Sequence, residues 1–325
     1  MKIPVSPKPL AMMSLILALS VFPSYSCSST SDTPVSPPGE TGNPDPEPEE
    51  DKVNTLSINV GANDALSLGT DGTVFISNFG NFEGTQVIAF DPTAMTTDIA
   101  VANLQAPTGN ITDAAGNFYV VHNVRLVEPN STQSIGDVIR IANDGTRTTI
   151  ATLPRFPSGI TMDNEGNLYV SNFSFPGVHK ISTEEEVTLF SEDPRLAGGV
   201  GIDFDDDGNL FVGNFTTGDI LKINSDETIE VLTTIPTIQT NAVIGYITYL
   251  EGFIFATAVG EHVIYRVSAT TGDTATFAGN RTQGTTDGSL LGASFDTPNG
   301  IVGDTSRNVL YVSSSDGSLR SIALD

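Results

Sequence analysis

Apolar and polar positions along this chain form a phrase that recurs with a period of roughly 40 to 50 residues. In the copy at 157–172, apolar side chains alternate with polar ones on both sides of the turn 163–167, Asp-Asn-Glu-Gly-Asn. Gly and Asn accept the positive φ angles of a tight turn, so each copy predicts a β-hairpin. Further copies begin at Ala65, Pro107, Gly199 and Pro298, and a degenerate copy begins at Ile244.

Each copy is followed by two more short runs that alternate in the same way. After the hairpin at 159–171, the segments Gly177–Ser182 and Glu186–Phe190 predict a third and a fourth strand. Four antiparallel strands in a unit of this period are typical of a propeller blade. We therefore predict an all-β fold, a six-bladed β-propeller of four-stranded antiparallel blades, at 65–106, 107–156, 157–197, 199–238, 243–284 and 298–325.

The sixth unit ends after three strands, the last of them at Ser318–Leu324. Ahead of the first unit, Asn54–Val60 has the same alternation as the predicted outer strands Thr149–Leu153 and Thr228–Leu232. An open sheet would expose an unpaired edge at this point. We expect the N-terminal strand 54–60 to complete the last blade and to close the ring.

The first 26 residues have the features of a signal peptide, since a short basic region with Lys2 and Lys8 precedes the apolar stretch Leu10–Phe22. This stretch is soon followed by Cys27, the single cysteine of the chain. The arrangement resembles a bacterial lipoprotein signal, which implies that Cys27 is lipidated and becomes the mature N-terminus. The residues at 24–26 differ from those that usually precede a lipidated cysteine, so cleavage at this place by an ordinary signal peptidase is the alternative.

Residues 27–52 combine the lipidation site with a Pro-rich, acidic segment that has no apolar periodicity. Such a segment stays extended and unfolded, and we expect it to act as a disordered tether. The predicted domains are therefore a signal peptide at 1–26, this tether, and the propeller at 53–325. We expect a location in the bacterial cell envelope, outside the cytoplasm, with the lipid anchor in the outer membrane or at the cell surface.

The composition limits the classes of partner and cofactor. The formal net charge is −25, and a strongly acidic protein is a poor partner for nucleic acid, which requires basic patches. One Cys and three His exclude a disulfide framework and a Cys/His zinc cluster. The membrane, reached through the lipid on Cys27, is the predicted partner, and no cofactor is predicted.

The repeated phrase, most complete at 157–170, resembles the NHL repeat, and the segment Asp287–Ile301 is similar to the fullest form of that repeat. The same pattern occurs in SMP-30/gluconolactonase-like propellers. The resemblance covers most of residues 60–325 and implies the six-bladed fold. In the lactonase-like relatives a divalent metal lies near the axis, held by Glu, Asn and Asp, some of them at the x of Pro-x-Gly.

The x positions test that implication in this chain. They are occupied by Thr108, Ser158, Gly199 and Asn299. Asn299 matches the relatives, and Asp64 stands just before the first copy. A catalytic metal needs several well-placed ligands and a group that handles protons. We therefore predict no catalytic residue, and Asp64 and Asn299 are metal ligands in the hydrolase alternative alone.

The first strand of each blade begins at Pro-x-Gly and the second ends at an Asn, so both points lie at one rim, which we call the Pro-x-Gly rim. The Asp-x-x-Gly turns lie at the opposite rim, the Asp-x-x-Gly rim. In one interpretation, the Asn side chains at this rim converge on a polar ligand or an axial cation, and the neighbouring Phe rings stack on it. In the other, each Asn bonds its own loop backbone and the Phe rings pack between blades. The residues concerned are Asn78, Asn123, Asn172 and Asn214, with Phe79, Phe173 and Phe215 following three of them.

Four basic residues also fall in loops at the Pro-x-Gly rim of this acidic chain. In one interpretation they bind carboxylate, sulfate or uronate ligands in a bidentate way. In the other they neutralise nearby acids such as Glu192 and Asp193. These basic residues are Arg125, Arg155, Arg195 and Arg281.

The segment Asp203–Gly208 matches the opening of a calcium loop, Asp-x-Asp-x-Asp-Gly, although Asn214 replaces the acidic residue at its twelfth position. It also aligns with the hairpin at 161–167, which explains it without a metal. We favour the hairpin, and calcium or a similar divalent cation is the less favoured alternative.

Together these features predict a membrane-anchored, extracytoplasmic binding module that uses the Pro-x-Gly rim, with a glycan, a peptide or another envelope protein as its ligand. A metal-dependent hydrolase and a scaffold without a small-molecule site are the alternatives. A pocket that brings Asp64 and Asn299 together would favour the hydrolase, whereas a mouth lined by Arg and Phe would favour binding.

Overall fold

The computed structural model describes residues 52–57, 60–128, 131–236 and 243–324. The predicted signal peptide, Cys27 and all of the predicted tether except Lys52 lie outside the described residues. Within the described ranges, no helix is long and apolar enough to cross a membrane. The anchor and the tether are therefore still predictions.

Six four-stranded antiparallel sheets make up the described residues, which confirms the predicted six-bladed β-propeller. Strand β1 (Val53–Ser57) precedes the first blade in the sequence. Blade one contains β2 (Leu66–Leu68), β3 (Val74–Ser77), β4 (Val87–Asp91) and β5 (Thr96–Val101). Blade two contains β6 (Asn110–Thr112), β7 (Phe118–Leu126), β8 (Ser134–Ile141) and β9 (Arg147–Pro154). Blade three contains β10 (Pro157–Met162), β11 (Leu168–Asn172), β12 (Gly177–Ile181) and β13 (Val187–Glu192).

The remaining blades follow the same order. Blade four contains β14 (Gly199–Phe204), β15 (Leu210–Asn214), β16 (Asp219–Ile223) and β17 (Ile229–Thr234). Blade five contains β18 (Ile247–Leu250), β19 (Phe253–Ala258), β20 (Val263–Ser268) and β21 (Thr274–Ala278). Blade six contains β22 (Pro298–Asp304), β23 (Val309–Ser314) and β24 (Leu319–Ala323), together with β1. Short 3-10 turns lie at Gly80–Phe82 and Pro194–Leu196.

Both ends of the propeller sequence meet in blade six. β1 pairs antiparallel with β24, with Thr55 opposite Arg320, and the sheet order is β1-β24-β23-β22. This pairing confirms that the N-terminal strand closes the ring, and Val53–Ser57 is the part of that strand among the described residues. A backbone bridge between Val53 and Gly288 ties the loop before β22 to the same junction.

Arg320 is buried beneath this junction, with 0% of its surface exposed. Its guanidinium donates to the carbonyl oxygens of Ser294 at 2.7 Å and Thr286 at 3.1 Å, and to the Asp287 carboxylate at 2.8 Å. Thr55 Oγ1 donates to the same carboxylate at 2.7 Å. Charged hydrogen bonds of this kind compensate for burying a guanidinium, and here they couple β1, β24 and the loop before β22.

The core lies between neighbouring blades. Val121 and Val138 of blade two pack with Ile160 and Val170 of blade three in one buried cluster. A blade that packs in this way buries its faces against the blades on either side, so its stability depends on them. The ring closure by β1 therefore affects the packing of the first and last blades as well as one sheet edge.

Near the axis the first strands approach one another closely, and this explains the glycine of Pro-x-Gly. A Cβ atom on Gly300 would overlap the carbonyl oxygen of Asp64 in the next blade, and one on Gly159 would overlap the carbonyl oxygen of Val200. The repeat therefore keeps glycine at this position where two backbones meet.

Candidate functional site

Strand pairing identifies the x residue of each blade at the Pro-x-Gly rim. Pro157 pairs with Asn172, and Gly199 pairs with Asn214 in the same way. Gly199 thus occupies the proline position, so taking Gly199 as an x residue was wrong and Val200 holds that position in blade four. The same backbone pattern gives Asp64, Thr108, Ser158, Val200, Gly245 and Asn299 as the six x residues.

Two of the x residues meet near the axis, which is the contact that the sequence left open. Asn299 Nδ2 donates to Asp64 Oδ1 at 3.0 Å and to the carbonyl oxygen of Asn63 at 3.1 Å. The Tyr246 hydroxyl also hydrogen-bonds the Asp64 carboxyl. Asp64 and Tyr246 are both buried. We call Asp64, Asn299 and Tyr246 the Asp64 cluster.

Burial controls the proton affinities in the Asp64 cluster. It raises the pKa of the Asp64 carboxyl to about 7, against hydrogen bonds from Tyr246, Asn299 and the Ala65 backbone that lower it. Burial and the neighbouring Asp64 charge also raise the pKa of Tyr246 well above its ordinary value of 10. Asp64 therefore titrates near neutral pH beside a phenol that stays protonated.

The Asp64 cluster does not match a catalytic divalent-metal site. Asn299 and Tyr246 both direct hydrogen-bond donors at Asp64, and the other polar x residues, Thr108 and Ser158, offer only hydroxyls. Within the described part of the chain, no group of three or more His, Cys, Asp or Glu side chains could hold a metal ion. The contact between Asp64 and Asn299 is the feature expected of the hydrolase alternative, but no pair of further carboxylate, imidazole or thiol ligands joins Asp64 among the described residues.

Five phenylalanine rings form a continuous arc at the Pro-x-Gly rim, which we call the Phe arc. It runs across blades one to four, and one of its members, Phe82, is 48% exposed. Aromatic pairs at such distances attract each other, so the arc is a fixed apolar surface. The ring centroids lie 4.7 Å apart for Phe82–Phe79, 6.1 Å for Phe79–Phe156, 5.9 Å for Phe156–Phe173 and 5.9 Å for Phe173–Phe215.

The Phe arc extends towards the Asp64 cluster. Phe173 and Phe215 are half-buried, and both pack against the buried cluster that contains Val200 and Tyr246. Tyr246 therefore links an exposed apolar surface to a buried carboxyl. One mouth at the Pro-x-Gly rim contains both features.

The four Asn residues at this rim use their carboxamides locally. Asn172 Nδ2 donates to the Pro154 carbonyl at 2.7 Å, and its Oδ1 accepts from the N–H groups of Ser174 and Phe175. In the same way, Asn214 donates from Nδ2 to the carbonyl oxygens of Arg195 and Ala197, and its Oδ1 accepts from the N–H groups of Thr216 and Thr217. The other two donate from Nδ2 to a neighbour: Asn78 to the Gly61 carbonyl and Asn123 to the Asp137 carboxylate.

Three of the four rim arginines pair with a carboxylate. The pairs are Arg125 with Asp137, Arg195 with Asp193, and Arg281 with the buried Glu261. In the first two, the guanidinium donates to both carboxylate oxygens. Arg155 instead donates to the carbonyl oxygen of Thr132 at 3.0 Å. The positive charge at this rim is therefore neutralised largely by adjacent acids.

A cavity of about 340 Å³ lies on the axis between the first strands, and we call it the axial cavity. Its lining begins at the level of Gly109 and Tyr246 and extends to Leu68 and Thr112, the last residues of β2 and β6. It therefore lies towards the Asp-x-x-Gly rim, on the other side of Tyr246 from Asp64. On this side the sequence suggested only the less favoured calcium loop at Asp203–Gly208.

Six residues, one from each blade, form a layer in the axial cavity. Each pairs with the aromatic residue of the second strand in its own blade, so all six have the same height along the axis. The layer consists of Ser67, Ile111, Thr161, Asp203, Thr248 and Val302.

The Asp203 carboxylate connects this layer across three blades. It accepts hydrogen bonds from the backbone N–H groups of Phe204 at 2.9 Å and Tyr249 at 2.8 Å. The hydroxyls of Thr161 and Thr248 donate to it at 3.3 Å each. Burial raises the pKa of Asp203 to about 6, although these four hydrogen bonds lower it.

The calcium-like segment forms the favoured hairpin. Asp205 Oδ1 accepts from the N–H groups of Asp207 and Asn209, as Asp163 does in the turn of blade three. Asp203 lies in the axial layer with a different set of donors. Asp203 and Asp205 are therefore bonded separately, one at the axis and one in a turn.

Comparison with known proteins supports the fold. A family profile described as a repeat of unknown function (DUF6923) matches residues 191–317. No curated protein sequence matches the chain significantly. Among solved structures, an auxiliary nutrient binding protein from Bacteroides thetaiotaomicron aligns with a TM-score of 0.64 at 14% identity, over 81% of this chain and 69% of its own.

Two enzymes have the same architecture. A gluconolactonase from Xanthomonas campestris aligns with a TM-score of 0.63 at 11% identity, over 85% of this chain and 90% of its own. A virginiamycin B lyase from Staphylococcus aureus aligns with a TM-score of 0.58 at 13% identity, over 84% of this chain and 98% of its own. At such identities the likeness establishes the propeller fold and transfers no activity.

Several residues of these sites were missed in the sequence. Phe82 and Phe156 lie outside the repeated phrase, and the rings of Phe79 and Phe173 reach each other through Phe156. Tyr246 stands where five other blades have Gly or Ala. This replacement was visible in the degenerate copy and is the signal that could have indicated a special position.

Proposed function

We propose that this protein is a binding module that captures a neutral glycan on the Phe arc at the Pro-x-Gly rim. The observation that carries the proposal is the continuous contact of five partly exposed phenyl rings across four blades. Isolated apolar side chains are common on protein surfaces, whereas connected apolar patches are typical of binding sites. Sugar rings present C–H faces that can pack on such a surface.

The charges at the rim favour a neutral ligand over an anionic one. The guanidinium groups of Arg125 and Arg195 are each held by both oxygens of an adjacent carboxylate. An anionic ligand would have to compete with that carboxylate for the same donors. The auxiliary nutrient binding protein that shares the fold agrees with a capture role, while the gluconolactonase supports the weaker alternative of a hydrolase.

The proposed setting is the outside of the bacterial cell envelope. The sequence at 1–26 and Cys27 resembles a lipoprotein signal, and the acidic, Pro-rich tether at 27–52 would hold the propeller away from the membrane. A lipid anchor would keep such a module close to the cell while its rim meets polymers outside. A scaffold role without a ligand remains the other alternative and predicts no binding at all.

Affinity electrophoresis with soluble neutral polysaccharides (dextran, mannan, xyloglucan, arabinan and starch) tests the proposal. We expect retardation by at least one of them, and the double variant Phe156→Ala/Phe173→Ala should weaken it ten-fold or more, because truncating a central aromatic anchor costs about 1–2 kcal/mol. The matched control is Phe253→Ala, which removes a ring that is 36% exposed in blade five, outside the arc. Retardation by none of the polymers, or equal retardation of the double variant, would refute the proposal.

A further inference from the structure

Tyr246 lies between the axial cavity and Asp64 at the Pro-x-Gly rim. Tyr246 lines the inner end of the cavity, and its hydroxyl bonds Asp64 on the far side. Tyr246 is therefore the one bulky residue at this level of the axis, because the other blades carry Ala65, Gly109, Gly159, Gly201 and Gly300 there. A ligand of the axial cavity would reach it from the Asp-x-x-Gly rim, independently of the Phe arc.

The axial cavity contains a negative charge without a cation from the protein. Among its lining residues, all of which belong to the described part of the chain, Asp203 alone has a carboxyl group and none is Lys, Arg or His. The four donors to Asp203 are two backbone N–H groups and two Thr hydroxyls, all neutral. A half-buried carboxylate that lacks a counter-charge favours a positively charged ligand.

The walls around Asp203 suit a ligand with an apolar body. Isoleucines from five blades line the cavity, and hydroxyl groups lie at the height of the carboxylate. The volume of about 340 Å³ is at the small end of the range of about 300–1,000 Å³ for ligand pockets. The isoleucines are Ile111, Ile160, Ile202, Ile247 and Ile301.

We propose that the axial cavity binds a small organic amine of about monosaccharide size, with its ammonium group on the Asp203 carboxylate. An ammonium group has three N–H donors and no acceptor. Asp203 and the hydroxyl oxygens of Thr161 and Thr248 offer acceptors at one height of the axis, while the apolar residues of the same layer, Ile111 and Val302, contact the carbon skeleton. A divalent cation fits less well, because calcium takes six to eight oxygen ligands, several of them from carboxylates.

Two probes that differ in one group test this assignment. The amine is trans-4-aminocyclohexanol, and its neutral counterpart is the corresponding cyclohexanediol. Calorimetric titration of the purified protein at pH 7.5 and low salt should give an affinity for the amine at least ten-fold higher than for the diol. Amide NMR shifts caused by the amine should include Phe204 and Tyr249 and exclude Phe173 in the Phe arc.

The variant Asp203→Asn removes the charge at nearly constant volume and should abolish the preference for the amine. Asp207→Asn is the matched control, because it removes an exposed charge from the adjacent turn and should leave the preference intact. Equal affinity for the two probes, no binding of the amine, or amide shifts confined to the Phe arc would overturn the proposal. If Asp203→Asn does not fold, the comparison of probes and the NMR map of the unmodified protein still decide it. Loss of glycan binding with retained amine binding would separate this site from the proposed function at the rim.

Discussion

The buried Asp64 makes a specific prediction about stability and pH. Its pKa is raised from 3.8 to about 7 in the folded protein, so the folded state binds this proton more tightly than the unfolded chain does. The stabilisation is complete below the unfolded pKa and is lost as the pH rises through the folded pKa. One pKa unit corresponds to about 1.4 kcal/mol, and about two units are lost between pH 5 and pH 8, so Asp64 should cost the protein roughly 2.7 kcal/mol over this interval.

The variant Asp64→Asn isolates this effect. It keeps the shape of the side chain and removes the titration, so its stability relative to the unmodified protein should rise by roughly 2.7 kcal/mol between pH 5 and pH 8. Asp203, with a pKa of about 6, titrates in the same interval, and burial lowers the pKa of the histidines, but these groups are present in both proteins and cancel in the difference. Urea unfolding followed by far-ultraviolet circular dichroism is the suitable assay, because the chain contains no tryptophan.

The control for this experiment is Asp207→Asn, which removes an exposed carboxylate from a turn. Its stability difference from the unmodified protein should be nearly the same at both pH values. A difference for Asp64→Asn that does not change with pH, or that falls as the pH rises, would refute the assignment of a raised pKa to Asp64. It would also remove the argument that the Asp64 cluster is a closed, poorly hydrated site.

Two further predictions concern the ring closure and the membrane anchor. Arg320→Met should lower the free energy of unfolding by about 3 kcal/mol, because buried carbonyl oxygens lose charged donors. The control Arg266→Met, at an exposed position in β20, should lower it by about 1 kcal/mol or less. Equal losses for the two variants in urea unfolding would contradict the role of Arg320. Cys27→Ser should move the protein from the membrane fraction to the soluble fraction of the producing bacterium, and an unmodified Cys27 in the mass spectrum of the native protein would count against lipidation.

The architecture was predictable because a repeat imposes the same local chemistry several times. The turn at 163–167 occurs with near-identical residues in other blades, so an error in one copy changes little. Closure by β1 was predictable for a different reason, since three strands in the last unit leave an edge that needs a partner. The misplacement of Gly199 also has a local cause: glycine at 198, 199 and 201 fits the Pro-x-Gly phrase in two registers.

The sites were less predictable because they depend on contacts between blades. Phe79 and Phe173 follow strand ends and were expected at one rim, but their connection depends on Phe156, which precedes β10 and belongs to no repeated position. Asp203 was considered as a turn residue of a calcium loop, whereas its neighbours Thr161 and Thr248 come from adjacent blades. Periodicity within one blade contains no information about such neighbours.

Tyr246 lies between the two binding sites that we propose for this propeller. A glycine at this position would leave the Asp64 cluster in contact with the axial cavity, and water could then solvate both carboxyl groups together. The phenol instead fills that space and donates to Asp64, which keeps the carboxyl buried and its pKa high. Asp203, on the other side, retains an unbalanced charge towards the Asp-x-x-Gly rim. The residue that departs furthest from the repeat thus separates an apolar mouth from a charged cavity, the two places where we propose that different classes of ligand bind.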